Sequence, residues 1–532
     1  MDLKKLYEKY LDRRSAREPW NLLLEEVARY CWPNAANFLV RETTDSASGG
    51  NAQTPVVATE IADATAIQAS IRMAAGIISY LTPYGIRWFD FRVSEEKYNR
   101  DLALQKELSL QTQDVHAALW RSNFQREMFT ACRQLAVFGT AVISVERSGN
   151  ELVFRTYPIQ SVYFEENSRG QIDTVYRRIE YNWRTFRQEF PEAELPRNVE
   201  KMLEEMDTFE CIHAVFPNEE YNPEKLDSWA YKSVYFLPIG KMFVVRESGF
   251  SSLPYKIGRF ERAPGELMGR SPAIELLPDI KMLNQMRRIY IQYSDLNTLP
   301  PLIVEEGTLL NNPMIAPGAI LVKMPGSPDP VPLRTGSNIV LTDSMIQAER
   351  QRVLEGFYYD LFQALADYRN MTAYEVSQRM EEKLVMLSPL ILGVQKEMLD
   401  PLILRARELI YETQPERMLR IGGKKVEIVY HGRLAMAMSA SQVRAIDVWL
   451  NKWVPYQQFY PVLDVLNLDE AAIQSAIHGG VPAELVRMPD EIEQMRQERT
   501  EKENKMMEMQ MLQQGAQAVK DLSPVLDKEE NL

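Results

Sequence analysis

Ile421-Gly422-Gly423-Lys424-Lys425 is the nearest approach of this 532-residue chain to a phosphate-cradling loop. A nucleotide-driven motor needs GxxxxGK followed by Ser or Thr, so that backbone amides close on the phosphates and a hydroxyl holds magnesium. The first glycine and the hydroxyl are both missing, and the run reads as a turn before a strand. Paired carboxylates, the next candidates for acid–base chemistry, occur as Glu165-Glu166, Glu219-Glu220 and Glu305-Glu306. Adjacent residues on a strand point to opposite faces and share no substrate, so these read as solvated charges. His116, His213, His431 and His478 stand far apart, as do Cys31, Cys132 and Cys211. That leaves no zinc-ligand spacing and no Cys–His pair, and neither HExxH nor GxSxG occurs. The expectation is no enzyme, no cofactor and no metal site. An odd, scattered set of cysteines fits a reducing compartment, with thiols buried as small hydrophobes.

Composition narrows the class further. The chain is 45% hydrophobic and 25% charged, enough for roughly two to four packed regions. No window approaches the ~18 uncharged apolar residues of a membrane span. The opening MDLKKLYEKYLDRRSAREPW alternates charged with apolar residues and does not serve as a signal peptide. The reading is a soluble protein, intracellular when made, with no membrane partner. Its net charge is −13, from 61 basic and 74 acidic residues. A protein that grips nucleic acid usually has a basic balance or a dense basic face. Either DNA is irrelevant here, or it is near and must not be held.

The elements that would position any site follow from periodicity and punctuation. Residues 1–31 read as helix, stopped at Trp32-Pro33; 41–55 as a polar loop; 57–81 as an alanine-rich helix ended by Thr82-Pro83. Residues 87–93 alternate as a strand, and 100–137 form one long helix ending at Phe138-Gly139. Residues 140–262 read as a mostly antiparallel sheet region with a small helix near 183–206. Ser271-Pro272 is a capped helix start. The apolar stripe after it, from Ile274 to Tyr293, predicts a helix over 272–298, about 40 Å long and bent early by Pro278. Residues 299–343 hold eight prolines around the short runs PLIVEE, AILVKM and NIVL, and so predict small strands and turns. Helical spacing returns at Ser344, with Val353, Phe357, Leu361 and Leu365 carrying a second helix to Tyr368. Two helices of matched length around a β excursion are most simply an antiparallel pair. After 369–371, Thr372 and Glu375 form a capping box that opens a helix kinked at Pro389 and Pro401. Lys425–Tyr430 is a strand, 440–487 is helical, and the tail from Pro489 reads as an exposed helix that frays.

This order of elements resembles the bacteriophage portal (head-to-tail connector) family of the T7-like, short-tailed type. GRSPAIELLPDIKMLNQMRR (269–288) is similar to the family's opening of its first stem helix, and NMTAYEVSQRMEE (370–382) to its helix start after the tunnel loop. LNLDEAAIQSAIHGGVPAELVRMPDEIEQMRQER (466–499) is similar to its crown. The resemblance implies an α+β portal fold with a helical stem, a β-rich wing and clip, a helical crown, and a ring-forming subunit. It places the wing at 1–268, the stem helices at 269–298 and 344–368, the clip at 299–343 and the tunnel loop at 369–372. A kinked wing helix and strand would occupy 373–429, the crown 430–500 and a flexible tail 501–532.

The function implied is a ring of about twelve copies through which double-stranded DNA is packaged and later ejected, without sequence specificity. Its partners would be the terminase large subunit, the scaffolding protein, the major capsid protein, a tail adaptor or tubular protein, and internal core proteins. It would be assembled in the bacterial cytoplasm and reside at the portal vertex of the virion. The alternative is another ring-forming virion protein, an adaptor or an internal core protein. An acidic channel wall avoids sticking to DNA, because each basic phosphate contact adds affinity, and a few cations would steer or brake it. The candidates are Arg287, Arg288, Arg350, Arg352 and Arg369, the last with Asn370, Met371 and Thr372 in the tunnel loop. Against this, the arginines could simply form ion pairs, with Glu349 and Glu355 at hand. Glu305, Glu306, Asn311, Asn312, Lys323 and Asp329 are the candidate clip contacts to motor and tail. The aromatic ladder Phe357, Tyr358, Phe362 and Tyr368 is read as packing, since duplex bases are already stacked.

Overall fold

Local stops written into the chain set most of its elements. The computed structural model describes residues 3–35, 45–46, 61–95, 102–149, 151–222, 228–240, 242–298, 302–303, 324–326, 331–332, 339–362, 391–412, 416–417, 425–430, 448–453, 455–456, 467–469, 471–472, 492–507 and 509. The chain divides into two units, Met1–Gly432 and Arg433–Leu532.

In the first unit, the helical reading of 1–31 resolves into two helices, α1 (Leu3–Ala16) and α2 (Glu18–Cys31). They part at Arg17, whose buried guanidinium donates to the carbonyls of Ile159, Gln160 and Val162 and stacks on Tyr163. α2 stops at Trp32 as expected. α3 (Thr65–Leu81) begins later than predicted and ends at Thr82. β2 (Phe89–Val93) follows, buried at alternate positions. The predicted helix over 100–137 is α4 (Leu102–Arg121) and α5 (Phe124–Phe138). The gap exists because the Asn123 amide pairs with the Phe154 backbone, donating to its carbonyl at 2.7 Å and accepting from its N–H at 2.8 Å. Gly139 ends α5 in the left-handed region, φ 72.

The β-rich stretch is mostly antiparallel, as expected, and divides into two sheets. β3 (Thr140–Ser148), β4 (Glu151–Tyr157) and β10 (Tyr255–Arg259) form an antiparallel sheet with β3 central. β6 (Ile172–Tyr181), β7 (Phe209–Pro217), β8 (Tyr231–Leu237) and β9 (Phe243–Phe250) form the second. It is extended at the β6 edge by β5 (Val162–Glu166) and by the two-residue β1 (Asp45–Ser46). Leu6 and Tyr10 of α1 pack on one face of this sheet, against Tyr163, Tyr176, Ile212 and Phe236. On the other face sit α6 (Trp183–Glu189) and α7 (Arg197–Glu205), the helical part expected near 183–206, against Ile179, Tyr181 and Cys211. Apolar cover on both faces explains why β7 reads as a run rather than an alternation. His213 links the two sheets: one ring nitrogen lies 2.7 Å from the Tyr255 hydroxyl and the other 2.9 Å from Ser233 Oγ. Burial, with Arg177 nearby, holds this imidazole well below its usual pKa, so it is neutral. Cys31, Cys132 and Cys211 are buried and free; burial pushes the Cys31 and Cys132 thiols up to about 12, which makes them inert packing groups.

After a short helical turn, α8 (Pro272–Glu275), the chain hitches at Leu276 and continues as α9 (Leu277–Thr298). The hitch puts Pro278 in the first turn of α9, where its missing N–H leaves no bond unmade. β11 (Leu302–Ile303) and β12 (Val331–Pro332) pair antiparallel. The second long helix differs from its predicted span: α10 runs Ile339–Gly356, and the short α11 covers Tyr359–Phe362. Residues 339–343, read as strand, are helical. The ladder through Phe357 is broken because Tyr358 adopts φ 56, while Gly356 leaves room for Leu276 where a side chain would stand.

Residues 391–394 are helical, a π turn covers Gln395–Leu399, and α12 is Asp400–Tyr411. The widened turn immediately precedes Pro401, which has no N–H to give to an α-helical ladder. The helix therefore passes the proline that was expected to interrupt it. β13 (Val426–Tyr430) pairs antiparallel with β2, more than 300 residues upstream. In the second unit, residues 492–507 are helical and exposed beyond 492, matching the exposed helix expected from Pro489. Arg496 holds Asp469 through two bonds of 2.6 Å. Among the described residues no helix is long and apolar enough to cross a membrane.

Candidate functional site

The site is the hairpin of α9 and α10 with the corner that launches it. That corner is built from backbone. The Cβ that any other residue would bring to Gly269 lies 2.2 Å from the Gly139 carbonyl oxygen, and one at Gly139 lies 2.3 Å from the Gly269 carbonyl oxygen. The two glycines let the end of α5 touch the start of the hairpin directly. Gly269 N–H donates to Thr140 Oγ1 at 2.8 Å, and Ser271 Oγ donates to the Val137 carbonyl at 2.8 Å. The same Ser271 oxygen accepts from Ile274 N–H at 3.2 Å, capping α8. The GRSP tetrapeptide thus has a physical reason: glycine for contact, serine for cap and tether, proline for the first helical turn.

α9 and α10 are antiparallel. Gly356, at the end of α10, lies against Leu276 before α9, and both helices meet the 61–65 segment near their middle. Asn284 of α9 is buried; its Oδ1 accepts from the N–H groups of Ala62 and Asp63 at 3.0 and 3.1 Å, and its Nδ2 donates to the Ile280 carbonyl. Arg350 of α10 donates from Nε and Nη2 to Asp63 Oδ2 at 2.8 and 2.7 Å. Asp63 Oδ1 accepts from Thr65 N–H at 2.9 Å, at the start of α3. Burial disfavours the Asp63 carboxylate, but the bonds from Thr65 and Arg350 outweigh it and hold its pKa below the ordinary value. α11 continues the clamp, with the Arg72 guanidinium of α3 donating to the Tyr359 hydroxyl. At the far end the hairpin passes into the β11–β12 ribbon. The predicted apolar stripe is buried at Ile274, Leu277, Ile280 and Leu283 and half-buried at Met286, Tyr290 and Tyr293, while Met282, Ile289, Ile291 and Leu296, off the stripe, are exposed.

Four of the predicted channel residues fall on this hairpin. Arg350 is engaged by Asp63, a partner that local spacing did not suggest. Arg352 pairs with Glu349 at 3.0 Å, the ion pair considered from sequence. Arg287 lies 5.2 Å from the Tyr290 ring centre, and Arg288 is half-buried one residue on. Arg369, Asn370, Met371 and Thr372 lie outside the described residues. So do Glu305, Glu306, Asn311, Asn312, Lys323 and Asp329. Sequence reasoning missed Asp63 and Asn284. Asp63-x-Thr65 is legible as a turn before a helix, but nothing local names Arg350 or Asn284 as its partners.

The hairpin that ends in the β11–β12 ribbon is thus anchored by a corner of glycine backbone and by the Asp63–Arg350 pair. The chain belongs to the bacteriophage head to tail connecting protein family, whose sequence model matches residues 3–486. It is 27% identical to the probable portal protein of Bordetella phage BPP-1, across 99% of this chain and 96% of that protein. It is also 26% identical to the portal protein of Salmonella phage epsilon15, across 87% of this chain and 86% of that protein. The family is a structural component of the virion at the head–tail junction, not an enzyme.

Proposed function

We propose that this chain is the portal subunit of a phage head: about twelve copies form a ring through which double-stranded DNA enters during packaging and leaves at ejection. The observation that carries the reading is the antiparallel α9–α10 hairpin running into the β11–β12 ribbon. In this assignment α9 and α10 are the stem, 299–343 the clip, 369–372 the tunnel loop and 430–500 the crown. The clip meets the terminase large subunit first and a tail adaptor later. The wing and crown meet the major capsid, scaffolding and internal core proteins during assembly in the bacterial cytoplasm. The charge of −13 per chain, repeated around a ring, gives a wall to which phosphates do not adhere.

Electron microscopy of the purified protein tests this reading. Class averages down the particle axis are expected to show rings of about twelve subunits with a central hole; monomers or closed particles would overturn the stem assignment. Within such rings, Arg369→Gln is expected to change DNA packaging or retention while leaving the rings intact. Unchanged packaging and retention would remove the proposed DNA-facing role of the loop.

A further inference from the structure

One sheet separates two surfaces of opposite charge. α1, on one face of the six-stranded sheet, turns Leu6 and Tyr10 inward and leaves Lys4, Lys5 and Lys9 exposed. Five of its residues are basic and two acidic, in a chain whose net charge is −13. Where α1 passes into α2, a cavity of about 230 Å³ opens, walled by Trp20, Tyr163, Phe164, Leu267 and Met268. The charged groups at its edge are already engaged: Arg13 by Glu165, Arg17 by main-chain carbonyls and Glu266 by Arg270. What the cavity has left to offer is apolar surface.

The other face of the sheet is covered by α6 and α7, and the outer side of that cover has the reverse sign. Residues 189–207 hold seven carboxylates and two basic side chains. Tyr181 holds Glu189 and Arg187 holds Glu200. Glu192, Glu194, Glu204, Glu205 and Asp207 are exposed and, among the described residues, in no ion pair. Met202 and Met206 stand among them, 38% and 44% exposed. Each surface thus has an apolar centre with a charged border, which is how protein–protein contacts are built. One supplies a cavity and cations, the other adaptable thioether side chains and carboxylates.

We propose that these two surfaces meet between copies of the chain: the α7 surface of one subunit docks on the α1 surface of the next, its methionines entering the cavity beside Trp20 and its carboxylates lying along the lysines of α1. The occupant is a second copy because both complementary surfaces belong to this chain, on opposite faces of one sheet. Such a contact runs head to tail, and repeating it closes a ring when the rotation between neighbours fits. It rests on the ring proposed for this chain and names where the wing holds its neighbour. Charge pairing across the contact selects the correct face and register, because the alternatives, α1 on α1 or α7 on α7, bring like charges together.

Two charge-reversed variants of the full chain test this: Lys5→Glu with Lys9→Glu, and Glu204→Lys with Glu205→Lys. All four side chains are exposed on helices. Each variant alone sets like charges against each other, and its ring fraction in sedimentation velocity at low salt is expected to fall about tenfold or more below that of the wild type. Mixed in equal amounts, the two are expected to recover rings to within about twofold of the wild type, because each carries the charge that the other lacks and they alternate around the ring. Recovery also shows that both variants are folded. Single variants that assemble like the wild type, or a mixture no better than its components, would overturn this contact while the wild-type rings keep the ring itself. Wild-type protein without rings would overturn both.

Discussion

Gly269→Ala is expected to lower the melting temperature of the purified protein by about 5 °C or more and to cut the yield of assembled particles. The added methyl would lie 2.2 Å from the Gly139 carbonyl oxygen and 3.0 Å from Arg259 Cβ. Backbone cannot step aside as a flexible side chain does, so the corner must open. Overpacking of this kind costs about 1–3 kcal/mol, and more where backbone is the obstacle; a few kcal/mol in a large chain moves the midpoint by several degrees. Gly139→Ala adds the strain of a left-handed φ of 72 to a clash at 2.3 Å and is expected to be at least as damaging. Gly265→Ala is the control. Its φ is 82, but nothing lies within 4 Å of its Cβ, so it costs about 1–2 kcal/mol from φ alone. If Gly269→Ala melts within a degree of the wild type, direct backbone contact is not what holds the hairpin to α5.

Arg350→Met is expected to destabilise the hairpin by about 3–5 kcal/mol, the usual cost of leaving a buried charge without its partner. The Asp63 side chain is 2% exposed and would keep only Thr65 and solvent leakage to support its carboxylate. Asp63→Asn combined with Arg350→Met is expected to recover a good part of the loss, because no buried charge is left uncompensated. A double-mutant cycle measured by chemical unfolding checks this, and strict additivity of the two losses would refute the coupling. The pH dependence follows with a definite sign. The folded pKa of Asp63 lies below its unfolded value, so its contribution is present above about pH 4 and is lost as pH falls through the folded value. The wild type should therefore lose stability in acid, and Arg350→Met should have less to lose.

A DNA role for the hairpin arginines is tested cleanly only by a variant that leaves the fold intact. Removing Arg350 disturbs folding, so a packaging defect in that variant says nothing about phosphate contact. Arg352 is 58% exposed and, among the described residues, bonds only within its own helix; Arg352→Gln is a surface change worth under about 1 kcal/mol. It reads contact with DNA without disturbing the hairpin.

Much of this architecture is legible in the residues alone, because its signals act over a single turn of chain. Trp32-Pro33, Thr82-Pro83 and Phe138-Gly139 end helices where expected, and Ser271-Pro272 starts one, since caps, missing donors and left-handed glycines work on neighbouring residues. Period-two and period-3.6 patterns likewise located the strands of 140–262 and both helices of the hairpin. The misplaced boundaries have a common cause. Asn123, Arg17 and Gly356 look neutral in sequence, and each interrupts a helix for a distant partner: Phe154, the 159–162 turn and Leu276.

Pairings across long stretches of chain are settled by packing alone. Alternation shows which face a strand buries but not which strand it joins, so the division into two sheets and the β2–β13 pair were hidden. Likewise a buried charge is defined by what covers it. Asp63 and His213 read as ordinary polar residues until the folded chain brings Arg350 and Tyr255 to them. Neighbouring residues set the order, kind and main stops of the elements; packing sets the partners and with them the electrostatics, because desolvation and pairing depend on residues hundreds of positions away.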